Sequence, residues 1–190
     1  SQIHRELTSG LSMPVGFKNG TDGNIQIAVD AIHSALNAHH FLGVTKDGLS
    51  AIVSTKGNND CHIILRGAKD TTNYDTLTIN NVATTLHADR MNYRVMIDCS
   101  HGNSRRDYRR QGGVVNSICE ELISGSTLVC GVMLESHLKA GQQKLEVGKP
   151  LVYGQSITDA CISWQETLSI LNRLSTAVRK RRYHLRGKNA

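Results

Sequence analysis

Four polar side chains in this chain stand directly behind short apolar runs, and each is of a type that binds or activates something. Lys18 ends Pro14-Val15-Gly16-Phe17, and Arg66 ends His62-Ile63-Ile64-Leu65. His101 follows Arg94-Val95-Met96-Ile97-Asp98, and Glu135 ends the run from Leu128 to Leu134. Two cations meeting at one place suit a phosphate or a carboxylate, the arginine through its planar fork. Ordinary ion pairs at a domain rim are the plainer reading of the same two residues. His101, Glu135 and the later Asp159 offer one imidazole and two carboxylates. That donor set suits manganese, iron, cobalt or zinc acting as a Lewis acid. A histidine near a strand end can equally be satisfied by a local hydrogen bond. Glu135 is harder to read as incidental, because a carboxylate behind seven apolar residues is costly to bury without a cation.

Such residues need elements to position them. The gaps from Lys18 are 48, 35 and 34 residues, and the last two fit one strand, one helix and their loops. Parallel strands that deliver polar groups at their C-terminal ends, with helices between, are how a (β/α) barrel builds an active site. Strands are expected at Val15–Lys18, Cys61–Leu65, Val95–Ile97 and Leu128–Leu134. The spacing Ile25, Ala28, Val29, Ile32, Ala35, Leu36 predicts a helix, capped by Thr21 or Asp22. Helices are also expected over Thr76–Asp89, Arg106–Ile123 and Trp164–Arg182, the last with Leu168, Leu171, Leu174 and Val178 on one stripe. Residues 1–12 would finish a helix, and Glu135–Asp159 would be a long loop. Phe41–Thr45 and Ala51–Ser54 flank Lys46-Asp47-Gly48, a hairpin signal that explains the longer first gap as an insertion.

Composition narrows the classes. At 190 residues and 39% hydrophobic the chain supports one domain with a real core, built from aliphatic residues because aromatics are only 4%. The longest apolar run, Leu128 to Leu134, is far too short to cross a bilayer, and the opening Ser-Gln-Ile-His-Arg-Glu has no apolar segment resembling a signal peptide. The first residue is Ser rather than Met, which suggests a piece of something longer. The net charge of +6 resides in Arg179, Lys180, Arg181, Arg182, Arg186 and Lys188; the remainder holds 16 basic and 16 acidic residues. A basic end after a helix complements the helix dipole, so neither nucleic acid nor membrane is the expected partner. Cys61, Cys99, Cys119, Cys130 and Cys161 form no C-x-x-C pair and read as free, buried thiols of a cytoplasmic protein. Arg105, Arg106, Arg109 and Arg110 would pair by helical spacing as a solvated face or help to bind an anion. Asn19-Gly20-Thr21-Asp22-Gly23 is a tight turn before a helix and lacks the ending of a Walker loop.

Five ordered segments carry a resemblance. They are Gly16-Phe17-Lys18-Asn19-Gly20-Thr21-Asp22-Gly23, Ile64-Leu65-Arg66-Gly67, Asp98-Cys99-Ser100-His101-Gly102-Asn103-Ser104, Val132-Met133-Leu134-Glu135-Ser136 and Ser156-Ile157-Thr158-Asp159-Ala160-Cys161. Together they resemble the type I, microbial 3-deoxy-D-arabino-heptulosonate 7-phosphate (DAHP) synthases over essentially the whole chain. The resemblance implies a (β/α)8 TIM barrel that condenses phosphoenolpyruvate with erythrose 4-phosphate, assisted by a divalent metal. This is the first step of the shikimate pathway to aromatic amino acids. Residues 1–190 would then be the C-terminal half of a single barrel, strands five to eight, with residues 40–55 an inserted regulatory hairpin. Lys18 and Arg66 match positions that bind phosphoenolpyruvate, with Lys18 and His101 the catalytic candidates. His101, Glu135 and Asp159 match three of four metal ligands. The fourth, a cysteine near the first strand, and a Lys-Pro-Arg-Thr segment after the second are not in this sequence. Cys61 begins a different strand and is read as core.

Arg106 stands where many members carry Lys. Phe41, Gly43 and Val53 match an inhibitor site for an aromatic amino acid, and glycine at 43 points to tyrosine by leaving room for its hydroxyl. Without that role the hairpin would serve an oligomer contact, and a homo-oligomer is expected. Two other readings stand beside this one. The first is a 3-deoxy-octulosonate 8-phosphate synthase, against which the Gly-Phe-Lys-Asn-Gly-Thr-Asp-Gly segment argues. The second is an inactive fragment that keeps an effector-binding or subunit-binding surface.

Overall fold

The computed structural model describes residues 1–187. In chain order the elements are α1 (Gln2–Ser9), β1 (Val15–Lys18), α2 (Gln26–Leu36), β2 (His40–Val44), β3 (Ser50–Ser54), β4 (Cys61–Leu65), α3 (Thr76–Ala88), β5 (Val95–Asp98), α4 (Gln111–Ile123), β6 (Val129–Met133) and α5 (Trp164–Gly187). Four strands form one parallel sheet in the order β1-β4-β5-β6, while β2 and β3 pair antiparallel as a separate hairpin. The α/β architecture with a parallel sheet is as the alternation of elements implies.

The strand sequences sort their side chains by period two. Cys61, Ile63, Leu65, Val95, Ile97 and Val129 join one cluster with Ala28, Val29, Ile32 and Ala35 of α2, Ile79, Val82 and Leu86 of α3, and Val115 and Ile118 of α4. Burying each large aliphatic side chain contributes roughly 2 kcal/mol. The alternate positions Gly16, Lys18, His62, Ile64, Met96 and Asp98 face the other way. On that face the His62 Nε2 atom is buried with no hydrogen-bond partner among the described residues. Chain direction in a parallel sheet is common to all strands. Lys18, Arg66, His101 and Glu135 are therefore gathered at one end of the sheet.

Several local expectations need correction. The helix expected from Arg106 begins at Gln111. Residues 101–106 are held in successive turns, with His101, Arg105 and Arg106 at positive φ (51°, 52° and 60°), and a single 3-10 turn follows over Tyr108–Arg110. Asp107, whose carboxylate accepts from the Arg109 amide, starts that turn. The N-cap of α2 is neither Thr21 nor Asp22 but Ile25, which makes no side-chain cap bond; instead the preceding Asn24 side chain accepts from the Gln26 amide at 2.8 Å. The buried stripe of α5 runs through Thr167, Ile170 and Ala177, leaving Leu168 and Leu171 half-exposed. All five cysteines are free, but Cys130 is exposed. Val95 pairs with Val129 and Met96 with Gly131, so Cys130 is the extra residue of a bulge. Arg179, Lys180, Arg182 and Arg186 are exposed on α5, and Lys188 lies outside the described residues. No helix among the described residues is long and apolar enough to cross a membrane.

Candidate functional site

Four buried amides fix the ends of the strands. Asn19, just past β1, accepts the Arg66 amide at 2.8 Å and donates to the Gly67 carbonyl at 3.1 Å, joining β1 to β4. Asn103 donates to the carbonyls of Leu65 and Asp98, joining β4 to β5. Asn73 links the two, donating to Asn19 Oδ1 and accepting the Gly67 amide, while its own amide donates to Asn103 Oδ1. Gln111 bonds both backbone groups of Glu135, the amide at 2.8 Å and the carbonyl at 3.1 Å, anchoring the residue after β6. None of these four side chains stands out in the sequence as a positioning residue, because an amide buried beside loop backbone leaves no periodic signal. The loops also touch backbone to backbone. A Cβ on Gly67 would come 2.5 Å from the Asn103 nitrogen, and one on Gly102 would come 2.4 Å from the Ala68 carbonyl oxygen. Side chains at those positions would push the Arg66 and His101 loops apart.

On this frame His101 Nε2 stands 3.8 Å from Glu135 Oε1 and 3.9 Å from Asp159 Oδ2. Donor atoms of the three residues all lie within 4.8 Å of one another. One imidazole and two carboxylates at that spacing fit a divalent cation, whose charge would also offset the repulsion between the acids. The three line a cavity of about 380 Å³ together with Arg66, Arg106, Tyr108 and Gln142. Arg106 therefore leaves the expected helix face and joins the site, while Arg109 and Arg110 turn to Asp107. Its cause is the left-handed backbone at 105 and 106, a conformation costing about 1 kcal/mol or more per non-glycine residue.

Lys18 reaches the same site through Asp98, a carboxylate with 0% exposure. Asp98 Oδ2 accepts from Lys18 Nζ at 2.9 Å and bonds His101 Nδ1 at 2.9 Å. Its Oδ1 accepts from the amide and the hydroxyl of Ser100. Burial is the largest single influence on this carboxyl and pushes its pKa up. The hydrogen bonds from Lys18 and Ser100 together outweigh it and hold the group below its ordinary range. Asp98 was visible in the sequence only as the end of an apolar run. By contrast Cys61 is sealed in the core, where burial and then the Asp60 charge push its thiol up to about 11. A neutral, sealed thiol is a poor ligand, as its strand position suggested. The Glu135–Asp159 segment is not featureless: isolated bridges join Ser136 to Ile162, Gly141 to Cys161 and Gln142 to Ser156.

The hairpin carries Phe41, Gly43 and Val53 away from this cavity's lining. Phe41 pairs with Val53 across the two strands, and a Cβ on Gly43 would come 2.7 Å from Val53 Cγ2. Val53 also lines a cavity of about 520 Å³ shared with Ser9, Leu11 and Thr55 at the end of α1.

Comparison with known proteins agrees with this geometry. The model of the DAHP synthetase I family matches residues 1–172. A phospho-2-dehydro-3-deoxyheptonate aldolase of Alternaria alternata is 56% identical over 96% of this chain and 49% of its own length. The Phe-sensitive phospho-2-dehydro-3-deoxyheptonate aldolase of Escherichia coli K12 is 53% identical over 96% of this chain and 52% of its own. The structure of the corresponding aldolase from Francisella tularensis SCHU S4 superposes with a TM-score of 0.90 at 48% identity, covering 95% of this chain and 52% of that one. The chain thus spans about half the length of the relatives it matches.

Proposed function

The chain belongs to the DAHP synthetase I family, and on that premise we propose that it supplies the metal-holding and phosphoenolpyruvate-holding half of a DAHP synthase. The reaction is the condensation of phosphoenolpyruvate with erythrose 4-phosphate, the first step of the shikimate pathway to aromatic amino acids. The observation that carries this reading is the meeting of His101, Glu135 and Asp159 in one cavity with Arg66, with Lys18 tied to His101 through Asp98.

In this reading His101, Glu135 and Asp159 hold manganese, iron, cobalt or zinc, which supplies Lewis acidity toward the aldehyde oxygen of erythrose 4-phosphate. Arg66 and Lys18 bind the phosphate and carboxylate of phosphoenolpyruvate and keep its C3 aimed at the aldehyde carbon. Their charges favour the transition state more than the ground state as negative charge shifts onto oxygen. Lys18 Nζ is the proton donor to the developing alkoxide, and Arg106 adds positive charge to the cavity wall. Water then adds at C2 and phosphate leaves from the same two cations.

The four parallel strands are strands five to eight of a (β/α)8 barrel, with residues 1–190 its C-terminal half and residues 40–55 an insertion. The buried, unpartnered His62 Nε2 supports this, because it lies on the face that the remaining strands would cover. Activity accordingly belongs to a polypeptide in which those strands are joined to these, and the 190 residues alone should turn over little substrate. The effector is an aromatic amino acid held by Phe41, Gly43 and Val53, with tyrosine preferred because glycine at 43 adds no side chain at a spot that Val53 already crowds. The exposed hairpin favours a homo-oligomer, and five unpaired thiols fit the cytoplasm.

The test is turnover by the longest natural polypeptide carrying these residues, with and without chelator. Loss of turnover on chelation, and its return with added Mn²⁺, is expected. Chelator-insensitive turnover would remove the metal from the mechanism, and preference for a five-carbon sugar phosphate would assign the chain to the octulosonate reaction.

A further inference from the structure

We infer that Asp98 is a positioning residue that fixes the tautomer of His101 and the place of Lys18 with one carboxylate, so that the metal ligands and the anion clamp are set as a unit. The inference deepens the proposed reading of the site and rests on it. Its ground is the direction of each hydrogen bond. The Ser100 hydroxyl gives its proton to Asp98 Oδ1 at 2.6 Å, so its oxygen can only accept from His101 Nδ1, 2.8 Å away. Asp98 Oδ2, 2.9 Å from the same nitrogen, is likewise an acceptor: it takes a hydrogen bond from Lys18 Nζ, which can only donate, while Oδ1 takes those of Ser100. Both neighbours of Nδ1 therefore require the proton there. The lone pair is left on Nε2, the atom that faces Glu135 and Asp159. Metal-ligating histidines are characteristically oriented in this way by a carboxylate on the far nitrogen.

The same Oδ2 also holds Lys18 Nζ at 2.9 Å. Lys18 ends β1 and Asp98 ends β5, two strands that do not pair with each other but both pair with β4. Asp98 thus spans one intervening strand, and no other described carboxylate bonds Lys18. An amide at 98 would satisfy only half of these contacts. With its NH₂ toward Lys18 and His101 it would oppose a cation and favour the Nε2–H tautomer. With its NH₂ toward Ser100 it would oppose the Ser100 amide.

The experiment has two parts, both on the longest natural polypeptide carrying these residues. The first is ¹⁵N–¹H correlation of the histidine imidazoles in the metal-free protein, with His101 assigned by its disappearance in His101→Asn. The proton is expected on Nδ1, in the native protein and in Ser100→Ala alike. A proton on Nε2 in the native protein overturns the inference, as does a switch to Nε2–H in Ser100→Ala, which would give the role to the serine. The second is direct Mn²⁺ titration by electron paramagnetic resonance. Asp98→Asn should bind Mn²⁺ about 10-fold to 100-fold more weakly than the native protein, and should raise KM for phosphoenolpyruvate more than it lowers kcat. Unchanged Mn²⁺ affinity in a folded Asp98→Asn overturns the inference. A native protein that binds no Mn²⁺ instead overturns the metal reading, and the tautomer still decides the role of Asp98.

Discussion

The strand-end rim and the hairpin, two polar-edged regions of one chain, are built in opposite ways. At the rim Asn19, Asn73, Asp98, Asn103 and Gln111 are all buried, and each makes two or more hydrogen bonds to neighbouring loops or strands. On the hairpin, Leu42, Val44 and Ile52 are 83%, 72% and 73% exposed, and β2 pairs with β3 alone. Position at the rim is therefore over-determined from within the chain, and a lost contact leaves buried groups unpaired. Position on the hairpin rests on one strand pair and its turn, a unit of marginal stability by itself. The chemistry of this protein is written into packed backbone. Its regulation, if housed in the hairpin, lies where apolar side chains are still in contact with water.

Substitutions in the two regions should therefore differ in cost. The largest effect is expected at the rim's donor set: His101→Ala or Glu135→Ala should remove metal-dependent turnover by at least about 100-fold, with circular dichroism showing the fold retained. Next comes Asn103→Ala, which strands the carbonyls of Leu65 and Asp98 and the Asn73 amide. It should cost about 2–3 kcal/mol in urea unfolding. A cost near zero would mean that the rim is no more tightly set than the hairpin. Gly43→Ser should favour phenylalanine over tyrosine as inhibitor by about tenfold, read as the ratio of the two inhibition constants. Equal inhibition before and after would separate Gly43 from effector choice. The smallest effect is expected for Ile52→Ser, within about 0.5 kcal/mol in unfolding free energy. A larger loss would show that this face is covered in the folded protein.

Much of the frame was legible in the sequence because it is carried by periodicity. β1 and β4 have the bounds expected of them, and the Lys46-Asp47-Gly48 turn placed the hairpin. Glu135 was legible because a carboxylate behind seven apolar residues demands an explanation. The segment from Arg106 to Arg110 was misread for the same physical reason that it matters. Arginines four apart mimic a helix face, whereas the backbone takes left-handed turns at 105 and 106, next to a loop whose Gly102 and Asn103 pack closely on Gly67 and Ala68. Asp98 escaped notice because an acid closing a strand looks like a solvent-facing terminus, and only its partners at 18 and 101 reveal otherwise. The α5 stripe was half right: Leu174 and Val178 pack against the core, but Leu168 and Leu171 are half-exposed while Thr167 and Ile170 are buried.

On the proposed reading, this sheet end holds a divalent cation between an imidazole and two carboxylates. Anomalous diffraction from crystals of the longest natural polypeptide soaked in Mn²⁺ tests it directly. One strong peak is expected, bonded to His101 Nε2 and to carboxylate oxygens of Glu135 and Asp159. A structure with no peak at that position, or with the ion held by other residues, would contradict it.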